Sequence, residues 1–130
     1  MTQRILVIED HEGTREMVET VLEGAGYETV GHADHTTAHE QIREVHPDLI
    51  IADLMQGSLM RGWNTLLAAT LDPDTREIPV LLMSVNQDYL RDNRQYLREH
   101  GCDTLEKPFH PAQLVTKVRA ALGDAPQPVR

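Results

Sequence analysis

Four short runs, each ending in a polar residue, constrain this chain more than any other feature of its sequence. Ile5-Leu6-Val7-Ile8 stops at Glu9-Asp10, Leu49-Ile50-Ile51-Ala52 at Asp53, Val80-Leu81-Leu82-Met83 at Ser84, and the less apolar Thr104-Leu105-Glu106 leads into Lys107-Pro108. Continuous apolar runs of strand length, separated by helix-length segments, fit strands buried on both faces of a parallel sheet. Open sheets of that kind bind ligands just outside the carboxyl ends of their strands. The carboxylates Glu9, Asp10 and Asp53, the Ser84 hydroxyl and the Lys107 ammonium are therefore expected in one crevice.

The intervening segments read as helices. Met17, Val18, Val21, Leu22 and Ala25 recur at helical spacing, with Gly24 and Gly26 as helix-ending residues. Glu28 to Val30 fits a short second strand. Ala38, Ile42 and Val45 mark one side of a second helix that stops before His46-Pro47, and strand three follows at once. Gly57 to Gly62 reads as a loop, Leu66, Leu67 and Leu71 as a third helix, and Asp72-Pro73-Asp74 as a turn. A polar fourth helix, thinly anchored by Tyr89, Leu90, Tyr96 and Leu97, is expected from Asp88 to His100, ended by Gly101. Pro111 opens the fifth, whose buried face carries Leu114, Val115, Val118, Ala121 and Leu122. Five strands alternating with five helices define an α/β, doubly wound, five-stranded parallel sheet.

At 130 residues the chain fits one domain, expected over 1–123, with a disordered tail at 124–130. The single cysteine, Cys102, permits no intrachain disulfide, and no run is long enough to span a bilayer, which together predict a cytoplasmic protein without membrane contact. The formal charge of −9 predicts no direct nucleic-acid binding, because phosphate contacts need clustered Lys and Arg. Proteins or a divalent cation are the expected partners.

In order as well as in type, these motifs resemble the receiver domain of two-component response regulators, from Arg4 to about Gly123. Glu9-Asp10 matches the acidic pair after strand one, Asp53 the phosphorylated aspartate, Ser84 the hydroxyl residue, and Lys107-Pro108-Phe109 the lysine motif after strand five. Each motif alone is weak, but four at the ends of the right runs are specific. The resemblance implies a flavodoxin-like strand order 2-1-3-4-5 and a cis Lys107-Pro108 bond. It implies Mg²⁺ held by Glu9, Asp10, Asp53 and the Met55 backbone carbonyl, and phosphoryl transfer to Asp53 from a sensor histidine kinase or phosphotransfer protein. Lys107 and Ser84 would contact the phosphoryl oxygens, and a conformational change would control a downstream protein target. Homodimer formation is a further expectation, as is at most weak self-phosphorylation and autodephosphorylation rather than an enzyme's turnover.

The pattern also departs from the family. Gln56-Gly57 stands where Met-Pro is usual, Gly62 lies one position late, and Thr104 replaces the aromatic switch residue. Val85 stands where Ala or Gly is common, and a β-branched side chain there predicts slow loss of phosphate. Two other functions compete. A constitutive docking receiver would keep the acidic site as a relic, and a phosphohydrolase of the haloacid dehalogenase type would need a second acid where Met55 stands. His32, His35 and His39 are expected on a solvated face rather than on a metal, Cys102 as a buried filler, and Trp63 and Phe109 in packing roles.

Overall fold

The computed structural model describes residues 2–55 and 60–123. The expected tail and the Gln56-Gly57 departure lie outside the described residues. Strands β1 (Arg4–Ile8), β2 (Glu28–His32), β3 (Leu49–Asp53), β4 (Val80–Ser84) and β5 (Cys102–Glu106) pair in parallel in the order β2-β1-β3-β4-β5. Every residue of β3 and β4 is buried. The alternation of side chains along these strands divides the core in two.

On one face, Leu6, Ile8, Ile50, Ala52, Val80 and Leu82 pack under α2 (Ala38–Val45), α3 (Arg61–Leu71), α4 (Gln87–Asp92) and α5 (Arg94–Glu99). On the other, Ile5, Val7, Leu49, Ile51, Leu81 and Met83 pack under α1 (Glu12–Gly24) and α6 (Pro111–Ala121). Two covered faces are why the central strands are apolar at every position.

Local sequence sets the helix ends. The His11 ring accepts a hydrogen bond from the Thr14 amide (3.1 Å) and so caps α1. Beyond its other end, Gly26 takes a φ of 98°, open to glycine at little cost.

One expectation needs correction. The polar stretch after β4 forms two short helices, α4 and α5, rather than one. They meet at Asn93, whose side-chain amide (2.9 Å) and backbone N–H (3.1 Å) both donate to the Tyr89 carbonyl and close the end of α4. Leu90 and Leu97 are their buried anchors. On α3 the buried face is Gly62, Thr65, Leu66 and Ala69, and Leu71 is 79% exposed. Leucine content points toward Leu71, but the helical repeat of 62, 65, 66 and 69 runs along a different stripe.

Gly62 joins this fold to its site. Its amide donates to the Leu54 carbonyl (2.9 Å). A Cβ at this position would lie 2.7 Å from the Leu54 Cα and closer still to the Asp53 carbonyl oxygen. Helix α3 thus rests directly on the backbone that leaves β3. Gly62→Ala should lose about 1–3 kcal/mol through overpacking, read as a lower urea midpoint. An unchanged midpoint would show that α3 can move away freely.

Candidate functional site

The ends of β1, β3 and β5 converge because the strands are parallel and in register, with Ile8 opposite Ala52, Asp53 opposite Met83, and Ser84 opposite Glu106. The Lys107 amide donates to the Ser84 carbonyl (2.9 Å), which carries the lysine just past the sheet edge. The Lys107-Pro108 bond is cis. From there the Lys107 Nζ donates to Asp53 Oδ2 (2.5 Å) and Glu9 Oε1 (2.8 Å). The other Asp53 oxygen, Oδ1, accepts from the Met55 amide (3.0 Å).

Burial makes this arrangement electrostatically consequential. Glu9 is 1% exposed and Asp53 8%. One ammonium serves two carboxylates, so the trio of ionised groups carries a net negative charge. Glu9 registers the imbalance. Burial first, and then the neighbouring Asp53 charge, raise its carboxyl to about 7 from an ordinary 4.5, against the opposing Lys107 hydrogen bond and charge. For Lys107, burial works against the charged form but is outweighed by the hydrogen bonds to Asp53 and Glu9, which hold the ammonium above its ordinary range.

Asp10 is exposed at the end of β1. Ser84 is fully buried at the end of β4, and its hydroxyl oxygen accepts from the Asn86 amide (2.9 Å). Asn86 in turn caps α4, its side-chain oxygen accepting from the Tyr89 amide (3.1 Å). Thr104 is buried in β5. Val85 is 70% exposed, packed on little where the chain leaves β4.

Histidine placement differs from expectation at one position. His32 ends β2, and His39 lies on α2 against Asp72 (2.9 Å). His35, however, is buried in a 3-10 turn (His35–Thr37), with Nδ1 on the Thr65 hydroxyl (3.2 Å) and burial lowering its pKa. The turn brings His35 inward against α3, where the sequence pattern predicts a solvated face. Cys102 is buried, and burial pushes its thiol up to about 12, as fits a filler. Trp63 packs edge-on to Tyr89 with ring centres 6.2 Å apart and tilted on Tyr96 at 5.6 Å.

Sequence reasoning passes over Arg15. Its Nη1 donates to the Glu9 carbonyl (2.9 Å). A signal exists: Arg15 shares a helical face with Val18 and Leu22, both buried on the sheet.

This geometry has counterparts among known proteins. The response regulator receiver domain family matches residues 5–119. The DNA-binding response regulator MtrA of Mycobacterium tuberculosis is 34% identical over 122 residues, covering 94% of this chain and 51% of that protein. The chain spans about half the length of the curated relatives it matches. Among solved structures, the chemotaxis response regulator CheY4 of Vibrio cholerae has the same fold, with a TM-score of 0.82 at 24% identity over 94% of this chain and 100% of that one. The receiver domain of the sensor histidine kinase PA1611 of Pseudomonas aeruginosa, solved with a magnesium ion coordinated in its active-site cleft, matches with a TM-score of 0.79. It is 25% identical, covering 95% of this chain and 99% of that one. This chain belongs to the response regulator receiver domain family, and its role is in signalling.

The relatives overturn one expectation. A charge of −9 predicts no contact with nucleic acid, yet MtrA is by name a DNA-binding response regulator. Charge summed over a stretch matching half of such a protein describes the surface of that half, and does not decide what the whole protein binds. Among the described residues, no helix is long and apolar enough to cross a membrane.

The Glu9 carboxyl supplies a pH signature. A carboxyl that holds its proton more tightly when folded stabilises the fold fully below its unfolded value near 4.5 and loses that contribution as pH rises toward 7. Without added divalent cation, the wild type should therefore lose stability relative to Glu9→Gln between pH 4.5 and 7 in urea denaturation. A constant difference across that window would contradict the assignment.

Proposed function

We propose that Asp53 is the phospho-acceptor of this receiver, taking a phosphoryl group from the phosphohistidine of a sensor histidine kinase or phosphotransfer protein in a Mg²⁺-dependent step. The observation that carries the reading is the Lys107 ammonium, 2.5 Å from Asp53 Oδ2 at the carboxyl ends of the central strands. In the transfer, an Asp53 carboxylate oxygen forms the new bond to phosphorus, the donor's P–N bond breaks, and the imidazole leaves with the electron pair. Lys107 gives up part of its contact with Asp53 and stays beside the transferred group, where its charge offsets the added phosphoryl oxygens.

Residues suited to the metal are present. Carboxylate and carbonyl oxygens are the donors Mg²⁺ prefers, and the unbalanced charge of Glu9 and Asp53 favours a cation. Glu9, Asp10, Asp53 and the Met55 carbonyl are the proposed set. Among the described residues, no group of three or more His, Cys, Asp or Glu side chains is disposed to hold a metal by itself, which leaves the carbonyl and water ligands to complete the shell. Bound Mg²⁺ would neutralise charge on Asp53 and the incoming phosphoryl oxygens.

The switch follows from what Ser84 holds now. Turning its hydroxyl toward a phosphoryl oxygen releases the Asn86 amide, and Asn86 caps α4. Helix α4 and its neighbour α5 are each six residues long, with Leu90 and Leu97 as buried anchors, so a small loss at the cap shifts their population. Thr104 has too little volume to act as an aromatic reporter of this motion, so the helices themselves carry the change. Val85 crowds the approach of hydrolytic water, and Met55 brings no acid or base to activate it. At most weak autodephosphorylation follows.

Incubation with Mg²⁺ and acetyl phosphate should give a single alkaline-labile phosphoryl adduct by intact mass, absent in Asp53→Asn and shorter-lived in Val85→Ala. Rapid multiple turnover, or an adduct that survives Asp53→Asn, would contradict the proposal. A Val85→Ala adduct as long-lived as the wild type would remove the steric part.

A further inference from the structure

Resting on the Mg²⁺-dependent reading above, we propose that Arg15 is a positioning residue for the acid pair: by gripping the Glu9 carbonyl from α1, it sets the peptide that aims Asp10. Strand β1 runs out of partners just before that pair. Its pairing ends at Ile8, opposite His32 on β2 and Ala52 on β3. One more backbone bond, from the Glu9 amide to the His32 carbonyl (3.0 Å), holds the next residue's N–H. The Glu9 carbonyl, which begins the peptide to Asp10, is held by the Arg15 guanidinium at 2.9 Å. Asp10 itself is exposed and outside the strand, so its direction depends on that peptide plane.

An independent feature shows that the path of Arg15 is accommodated. A Cβ at Gly31, on β2, would run into the Glu19 carboxylate oxygen and come within 3.1 Å of the Arg15 Cδ. Gly31 thus leaves a shallow bed on the edge strand in which Arg15 and Glu19, one helical turn apart, lie flat. Glu19 is partly buried, and Arg15 is among the charges acting on it.

Charge and positioning predict opposite signs, which makes the role testable. A fixed positive charge near a cation site repels the cation, so removing it should tighten Mg²⁺ binding if electrostatics were all that mattered. If Arg15 orients the ligands, its removal should weaken binding, by about tenfold for a group of this kind.

The test is Mg²⁺ titration by calorimetry on the wild type, Arg15→Ala, Arg15→Lys and Gly31→Ala, with thermal melts in the absence of metal as a fold control. Arg15→Ala should bind Mg²⁺ about tenfold more weakly, and Arg15→Lys, which keeps a donor, should recover part of the loss. Gly31→Ala, whose Cβ would crowd the Glu19 carboxylate and the Arg15 Cδ, should weaken binding in the same direction. The deficit in acetyl phosphate labelling should shrink as Mg²⁺ is raised, which general structural damage would not produce. Unchanged or tighter binding in Arg15→Ala overturns the proposal. If Arg15→Ala does not fold, the other two variants decide the matter, and wild-type affinity in both overturns it. Wild-type protein that neither binds Mg²⁺ nor forms the adduct refutes the phospho-acceptor reading, and this inference with it. A wild type that does both, beside variants of unchanged affinity, refutes the role of Arg15 alone.

Discussion

One ammonium shared by two buried carboxylates organises the functional end of this molecule. Lys107 reaches both Glu9 and Asp53, and neither carboxylate is accessible enough for water to disperse its charge. Removing one partner of such a buried group leaves uncompensated charge at a cost of several kcal/mol, roughly 3–5 in comparable cases. The trio also cannot balance itself, because two acids face one base. A proton on Glu9 or an external cation completes it. Burial first, and the Asp53 charge after it, raise the Glu9 carboxyl and make a proton there one way to complete it.

The rest of the architecture delivers these three groups to one place and connects them to movable parts. Parallel pairing brings the ends of β1, β3 and β5 to the same edge of the sheet, and the bond from the Lys107 amide to the Ser84 carbonyl carries β4 into the arrangement. Helix α3 closes directly on the Asp53-Leu54 backbone at Gly62. Ser84 links the site to α4 through Asn86. The site thus touches one firmly seated helix and one loosely anchored pair, and a change in charge at Asp53 acts most readily on the pair.

Much of this is legible in the sequence because its causes are local or periodic. Uniformly apolar strands require covered faces, so the sheet, its order and the place of Glu9, Asp53 and Lys107 can be read from run lengths and their endings together with the family resemblance. What escapes depends on three-dimensional detail. The polar stretch after β4 divides at Asn93, where side chain and backbone share the Tyr89 carbonyl, a detail that helical spacing does not encode. His35 turns inward because a 3-10 turn precedes α2, and Leu71 faces solvent because it lies off the α3 stripe of Gly62, Thr65, Leu66 and Ala69. Arg15 is hidden by its ordinariness, since a basic residue on a helix reads as solvated until a backbone carbonyl is found beneath it. Nucleic acid is wrongly excluded by a charge count taken over a stretch that matches half of its relatives.

The balance of charge at the site is most directly tested by carboxyl-detected NMR titration of Glu9 with and without saturating Mg²⁺. The metal-free protein should show a midpoint near 7 that falls toward the ordinary carboxylate range when the cation takes over the role of the proton. A midpoint already at 4.5 without metal, or one that Mg²⁺ leaves in place, would contradict a site held together by a shared ammonium and short of one positive charge.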